Sequence, residues 1–182
     1  MQTHELVAHP AHKPLAVRRM EARVLSVGEA WVRIRWRIDG VGKLVIPSFA
    51  GKGREDKLWQ TTCFELFVRP PGGTAYTEFN FSPSERWAAY DFADYRDGMV
   101  QRPFPREPDC TLRVGQATAV FDAALPRAFF IDPPAAVGLS AVIEEEGGVK
   151  SYWALKHHGD TPDFHDPACF TASLGPPRPA PM

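Results

Sequence analysis

Between Leu58 and Phe92 the chain reads LWQTTCFELFVRPPGGTAYTEFNFSPSERWAAYDF, three runs of alternating residues separated by two turn-forming clusters, PPGG and SPSE. Period-two alternation belongs to strands, and turns this short join strands that are antiparallel neighbours. The centre of the chain is thereby committed to a sheet. A turn at Pro70 to Gly73 pairs Arg69 with Thr74, setting Phe67 opposite Tyr76, Glu65 opposite Glu78 and Cys63 opposite Asn80. A second turn at Ser82 to Glu85 sets Trp87 beside Asn80, Ala89 beside Glu78 and Asp91 beside Tyr76. One face then collects Phe64, Leu66, Val68, Ala75, Phe79, Phe81, Ala88, Tyr90 and Phe92 and reads as core.

The other face carries the chemistry. Two carboxylates directly opposite each other repel, so Glu65 and Glu78 require a cation, a shared proton or hydrogen-bond donors. A hydroxyl-rich ligand supplies donors, Ala89 leaves room, and Trp59, Trp87, Tyr76 and Phe67 offer ring faces. The competing reading is a solvated sheet face whose acids simply point into water.

The 182 residues suit one domain, expected over 1–175, with a disordered tail at its end over 176–182. A formal charge of -1 gives no general attraction to nucleic acid or anionic membranes. The first residues lack an apolar export core and no stretch has the length of a spanning helix, so a cytoplasmic protein is expected. Cys63, Cys110 and Cys169 are too few and scattered for a disulfide framework and are expected as thiols.

WVRIRWRID, Trp31 to Asp39, places Val32, Ile34, Trp36 and Ile38 on one side and three arginines on the other, a half-buried strand. Leu15 to Val27 is expected as the first strand and Lys43 to Pro47 as a short one. Ser48 to Leu58 is expected as a loop that brings Trp59 to the sheet rim. Pro103, Pro105 and Pro108 make Asp94 to Asp109 irregular, while Leu112 to Asp122, Ala136 to Glu144 and Lys150 to His157 read as strands. About nine or more strands with no convincing helical periodicity predict an antiparallel β-sandwich, jelly-roll or immunoglobulin-like.

HHGDTPDFHD places His157, His158, Asp160, Asp163, His165 and Asp166 in one segment, but the spacing matches no zinc pattern and Asp160 to Asp163 reads first as turn chemistry. A Ca²⁺ ion there stays open. Glu65 and Glu78 also form a carboxylate pair of the kind glycoside hydrolases use. Nucleophilic catalysis has no G-x-S-x-G, and the GKG at Gly51 to Gly53 lacks phosphate-loop spacing.

The runs W-Q-T-T-C-F-E-L-F-V from Trp59, E-F-N-F-S-P-S from Glu78, R-W-A-A-Y-D-F from Arg86 and P-D-F-H from Pro162 resemble the DOMON-like superfamily, closest to its bacterial branch similar to family 9 carbohydrate-binding modules. The resemblance implies a β-sandwich with a ligand site on one sheet, taking sugars in some branches and haem in others, and relatives fused to an enzyme of peptidoglycan-precursor synthesis. It places Trp59 as a stacking aromatic and Glu65, six positions on, as a hydrogen-bonding acid. Glu78, Asn80, Tyr76 and Trp87 join them through the register, and His158, Asp163, Phe164 and His165 through the nearby rim. The expectation is a non-catalytic module binding a sugar or sugar derivative, with no cofactor and a protein partner left open. The alternatives are a haem module using Met20, Met99, His157, His158 or His165, a hydrolase using Glu65 and Glu78, and a protein-interaction module.

Overall fold

The computed structural model describes residues 2–104 and 106–175, so the tail expected at 176–182 lies outside the described residues. In chain order the strands are β1 (His4–Ala8), β2 (Arg19–Val27), β3 (Trp31–Asp39), β4 (Gly53–Arg54), β5 (Cys63–Arg69), β6 (Tyr76–Phe81), β7 (Arg86–Phe92), β8 (Val100–Gln101), β9 (Asp109–Val114), β10 (Thr118–Pro126), β11 (Ala135–Glu145), β12 (Val149–Ala154) and β13 (Ala172–Leu174). Among the described residues there is no α-helix, and 3₁₀ turns occupy Leu58–Gln60, Arg127–Phe129, Glu146–Gly148 and Pro167–Cys169.

The all-β class is as expected. The strands form one continuous sheet in the order β4-β7-β6-β5-β11-β12-β1-β2-β3-β10-β9, with β13 beside β11 and β8 beside β7. The sheet is mixed, because β4 runs parallel to β7 whereas the other pairings are antiparallel. The continuity comes from β1, which hands over midway: His4 to Leu6 pair with β2, then Val7 and Ala8 pair with β12.

The sheet curls so that its two halves meet face to face. Phe64 on β5 stacks on Phe121 of β10 with centroids 4.1 Å apart, and Trp36 of β3 lies 5.5 Å from Phe64. Val32, Ile34, Trp36 and Ile38 are all fully buried there, as the alternation of β3 predicts. On the reverse face Arg35 bonds Asp122 and Arg37 bonds Asp39. Each large apolar side chain removed from water contributes about 2 kcal/mol, so this seam holds the halves together.

Several expected boundaries shift. Leu112 to Asp122 is two strands, because Gly115 and its neighbours turn the chain between β9 and β10, with Gly115 N–H donating to the Thr118 carbonyl. Lys43 to Pro47 makes no strand but a single bridge, Leu44 to Glu145. The stretch before Arg19 is a crossing segment and β1 precedes it. Its amides are met by one side chain: buried Glu145 accepts from Leu15 and Ala16 at 2.7 Å each and from Val17 at 3.1 Å. Gly40 permits the close passage, since a Cβ there would stand 2.1 Å from the Ala16 carbonyl oxygen and its φ is +94°.

Candidate ligand site

The β5–β6–β7 hairpins do not have the expected registers. Glu65 pairs with Asn80 and Phe67 with Glu78, a slip of two from the prediction, because six residues rather than four link β5 to β6. A slip of two keeps every side chain on its face. At the second turn the Ser82 amide donates to the Arg86 carbonyl while the Ser82 carbonyl accepts from the Glu85 amide, leaving Pro83, Ser84 and Glu85 as a three-residue loop with Glu85 at φ 69°. That shape is a type I turn followed by a left-handed residue. It slips β7 by one and exchanges its faces: Asn80 meets Ala88, Glu78 meets Tyr90 and Tyr76 meets Phe92.

Trp87 is therefore corrected as a site residue. Its indole lies in the main core, 4% exposed and stacked on Phe104 at 5.0 Å. Ala89 likewise belongs to the core, whereas Ala88, Tyr90 and Phe92 move to the face of Glu65, Glu78, Asn80 and Tyr76.

Across that face runs a row of facing residues from five strands: Ala88, Asn80, Glu65, Ser140 and Ala154. All five are buried. One polar atom of the row lacks a partner outright and a second is only weakly held. Asn80 Nδ2 donates to Glu78 Oε1 at 2.8 Å, which turns Asn80 Oδ1 away with nothing to accept, and buried Ser140 Oγ makes no hydrogen bond of full geometry, though it faces Glu65 closely enough to favour the ionised carboxyl. Buried polar atoms are rarely left this way, since each orphan costs about 1–3 kcal/mol. The two alanines end the row in small side chains, Ala88 packed under Leu58 and Tyr90 and Ala154 in the cluster of Phe164 and Val142.

Burial favours the neutral form of both acids. Burial pushes Glu78 up to about 7, against the Asn80 bond and Arg96, and burial together with the charge of Glu78 raises Glu65 well above the carboxylate range. Asp163 is driven the other way by the donors around it: the Tyr95 hydroxyl, Arg96 at 2.7 Å and the His165 amide at 3.1 Å.

The segment from Lys156 to Phe170 covers the face. Phe164, Cys169 and Phe170 join Phe67, Tyr76, Phe92, Val142 and Ala154 in a second apolar cluster. Its turns are built as the sequence suggests: the Asp163 side chain accepts within its own turn, and Asp166 caps the Pro167–Cys169 turn by accepting from the Ala168 amide. His165 plugs the centre against Phe67, Phe92 and Tyr76. The Tyr76 oxygen accepts the Arg96 amide at 3.2 Å and lies 2.7 Å from His165 Nδ1, a pair we assign with the hydroxyl donating and the imidazole nitrogen accepting. That leaves the imidazole hydrogen on Nε2, which stands 3.8 Å from Glu78 Oε2. Burial takes His165 down to about 4, so it is neutral.

The remaining predicted residues are dispersed. Trp59 is half exposed on the Leu58–Gln60 turn, whose Leu58 packs on Cys63, Ala88 and Tyr90 at the Ala88 end of the row. Phe164 is buried in the cover, 6.2 Å from the Tyr152 ring, so it presents no free stacking face. His158 is exposed and bonds Asp166 at 2.8 Å, away from the acids. Met20 lies in the main core and exposed Met99 precedes β8, so neither meets His165. Among the described residues no group of three or more His, Cys, Asp or Glu side chains is arranged to hold a metal ion. Sequence reasoning missed Ser140, Arg96 and Phe170. Ser140 had a signal, the polar residue inside the apolar run AVGLSAVIE.

No family's sequence model matches the chain, and no curated protein does. Solved structures do resemble it. A candidate carbohydrate-binding protein from Bacteroides uniformis superposes with TM-score 0.65 at 13% identity over 94% of this chain and 84% of its own. A family 9 carbohydrate-binding module from Caldicellulosiruptor kristjanssonii, solved with cellotriose, superposes with TM-score 0.53 at 9% identity over 98% of this chain and 88% of its own. At these identities the likeness is one of fold alone, and it supports the family 9-like part of the resemblance.

Proposed function

We propose that the chain is a non-catalytic binding module that takes a carbohydrate or sugar derivative on the face of β5, β6, β7 and β11. The observation that carries this is the row Asn80–Glu65–Ser140, with an unpartnered amide oxygen and a weakly held hydroxyl, both buried, set between two alanines. Sugar hydroxyls both donate and accept, which suits a row offering a carboxyl, an amide oxygen and a hydroxyl. Glu65, Glu78 and Asn80 take hydrogen bonds, and Trp59 stacks on the apolar face of the ring beside the Ala88 end. Tyr76, Asp163 and His165 position the covering segment, with Phe164 and His158 part of that cover. The cover must part from β5–β7 to admit a ligand. Placement in the DOMON-like branch, a two-layer sandwich description of the curled sheet, and a cytoplasmic setting belong to the same proposal. The structures similar in fold include a module solved with cellotriose, which favours a sugar over other amphipathic ligands.

A thermal-stability screen against mono- and disaccharides, UDP-sugars, haemin and divalent metals tests this, since a ligand that binds the native state alone raises the midpoint. The expected result is a shift with one sugar class that Trp59→Ala and Glu65→Gln both remove while the fold stays intact. A shift with haemin or a metal alone would replace the reading. Conversion of the sugar, lost in Glu65→Gln with binding retained, would make the chain an enzyme.

A further inference from the structure

The acids of this face lack a cation of their own. Arg96, the nearest, is committed to Asp163 at 2.7 Å and lies over the Tyr95 ring. His165 is neutral and its Nε2 stays 3.8 Å from Glu78. The other titratable groups packed around the pair, Cys63 on β5, Tyr76 on β6 and Tyr90 on β7 opposite Glu78, are a neutral thiol and neutral phenols. The row keeps accepting capacity to spare: Asn80 Oδ1 by its fixed orientation, Ser140 Oγ by its lone pairs, its hydrogen being turned toward Glu65, and Glu65 when ionised. Resting on the reading that the face binds a sugar, we propose that its preferred ligands are amino sugars, with a protonated primary amine received at Glu65 between Asn80 and Ser140.

An ammonium group is the complement of such a row. It brings three donors and the missing positive charge, whereas a neutral hydroxyl brings one donor and no charge, and a uronic acid adds repulsion. N-acetylation removes the charge and adds bulk. The bound amine also makes ionisation of a buried carboxyl favourable. The carboxyl then gives its proton to solvent and forms a carboxylate–ammonium pair, so binding releases a proton while the amine keeps its own.

Calorimetric titration of the full chain at pH 6.5 with glucosamine, glucose, N-acetylglucosamine and cellotriose decides the matter, because an amine is protonated at that pH. Glucosamine is expected to bind about tenfold or more tighter than glucose and N-acetylglucosamine, as a charge-assisted bond exceeds a neutral one. Its apparent enthalpy should vary with the ionisation enthalpy of the buffer in the sense of proton release. Glu65→Gln should abolish the preference, and Ser140→Ala, a milder change, should reduce it if the Gln variant fails to fold. Equal affinity for glucose and glucosamine, or no proton release, would overturn the amine assignment and leave the sugar-binding reading standing. Failure of all four sugars to bind would overturn both.

Discussion

Replacing Glu78 by Gln exposes a pair of opposed pH dependences under the covering segment. In the folded chain Glu78 titrates near 7 against an ordinary 4.5, and the raised value means that the native state binds the proton more tightly than the unfolded chain. Stability from this group is full below about 4.5 and is lost as pH rises through 7. A shift of this size corresponds to about 3 kcal/mol. His165 has the opposite sign: its native value near 4 lies below the ordinary 6.5, so protons released on folding make stability rise with pH between those values. That rise is also worth about 3 kcal/mol. Glu65, raised like Glu78, adds a second fall of the same sign above its ordinary 4.5, so in the wild-type chain the two acids outweigh His165 and stability should decline as pH rises from about 4.5 to 6.5. Glu78→Gln keeps an oxygen to accept from Asn80 but cannot ionise, so it should leave Glu65 against His165, flatten the profile and gain about 3 kcal/mol on the wild type between pH 4.5 and 7.5. His165→Gln should steepen the fall. Urea unfolding at four pH values across that interval measures both. A difference between wild type and Glu78→Gln that stays constant with pH within about 1 kcal/mol would refute the burial of an ionisable Glu78.

Glu145→Ala leaves the amides of Leu15, Ala16 and buried Val17 without their acceptor, and urea unfolding should show a loss of about 3 kcal/mol, with Glu145→Gln intermediate. Gly138→Ala puts a Cβ 2.7 Å from Phe170 Cδ1, so it should cost about 1–3 kcal/mol and bring limited proteolysis to the Lys156–Phe170 segment. Trp59→Ala removes a half-exposed ring and should change stability by less than about 0.5 kcal/mol, separating its effect on ligand shifts from any effect on folding.

How much of the site was legible follows from parity. The alternation of β5 and β6 assigned Glu65, Tyr76, Glu78 and Asn80 to one face, and an error of two in the first turn could not undo that. The facing pairs were wrong all the same, so the expected contact of Glu65 with Glu78 across a ladder is a diagonal relation. The second hairpin was lost to one residue. Glu85 adopts a left-handed conformation that only an unusually placed non-glycine residue takes, and nothing in SPSE distinguishes a four-residue turn from a three-residue one. Trp87 and Ala88 traded faces as a result. Strand β1 was invisible because HELVA has little apolar alternation, and its pairing with Met20 and Trp153 is a long-range choice. The plug formed by His165 depends on where PDFH lands after a turn, which local pattern does not encode.

The handover within β1 makes five residues near the start of the chain the seam of the whole sheet. Removing them would leave two raw edges, the Met20 side of β2 and the Trp153 side of β12, each presenting unpaired amides and carbonyls. Such edges accept any strand that offers the same hydrogen-bonding rhythm, including the corresponding segment of another copy. A chain trimmed before Arg19 is thus expected to be a strand acceptor, prone to exchange or self-association, and a synthetic peptide spanning His4–Ala8 would be its specific complement.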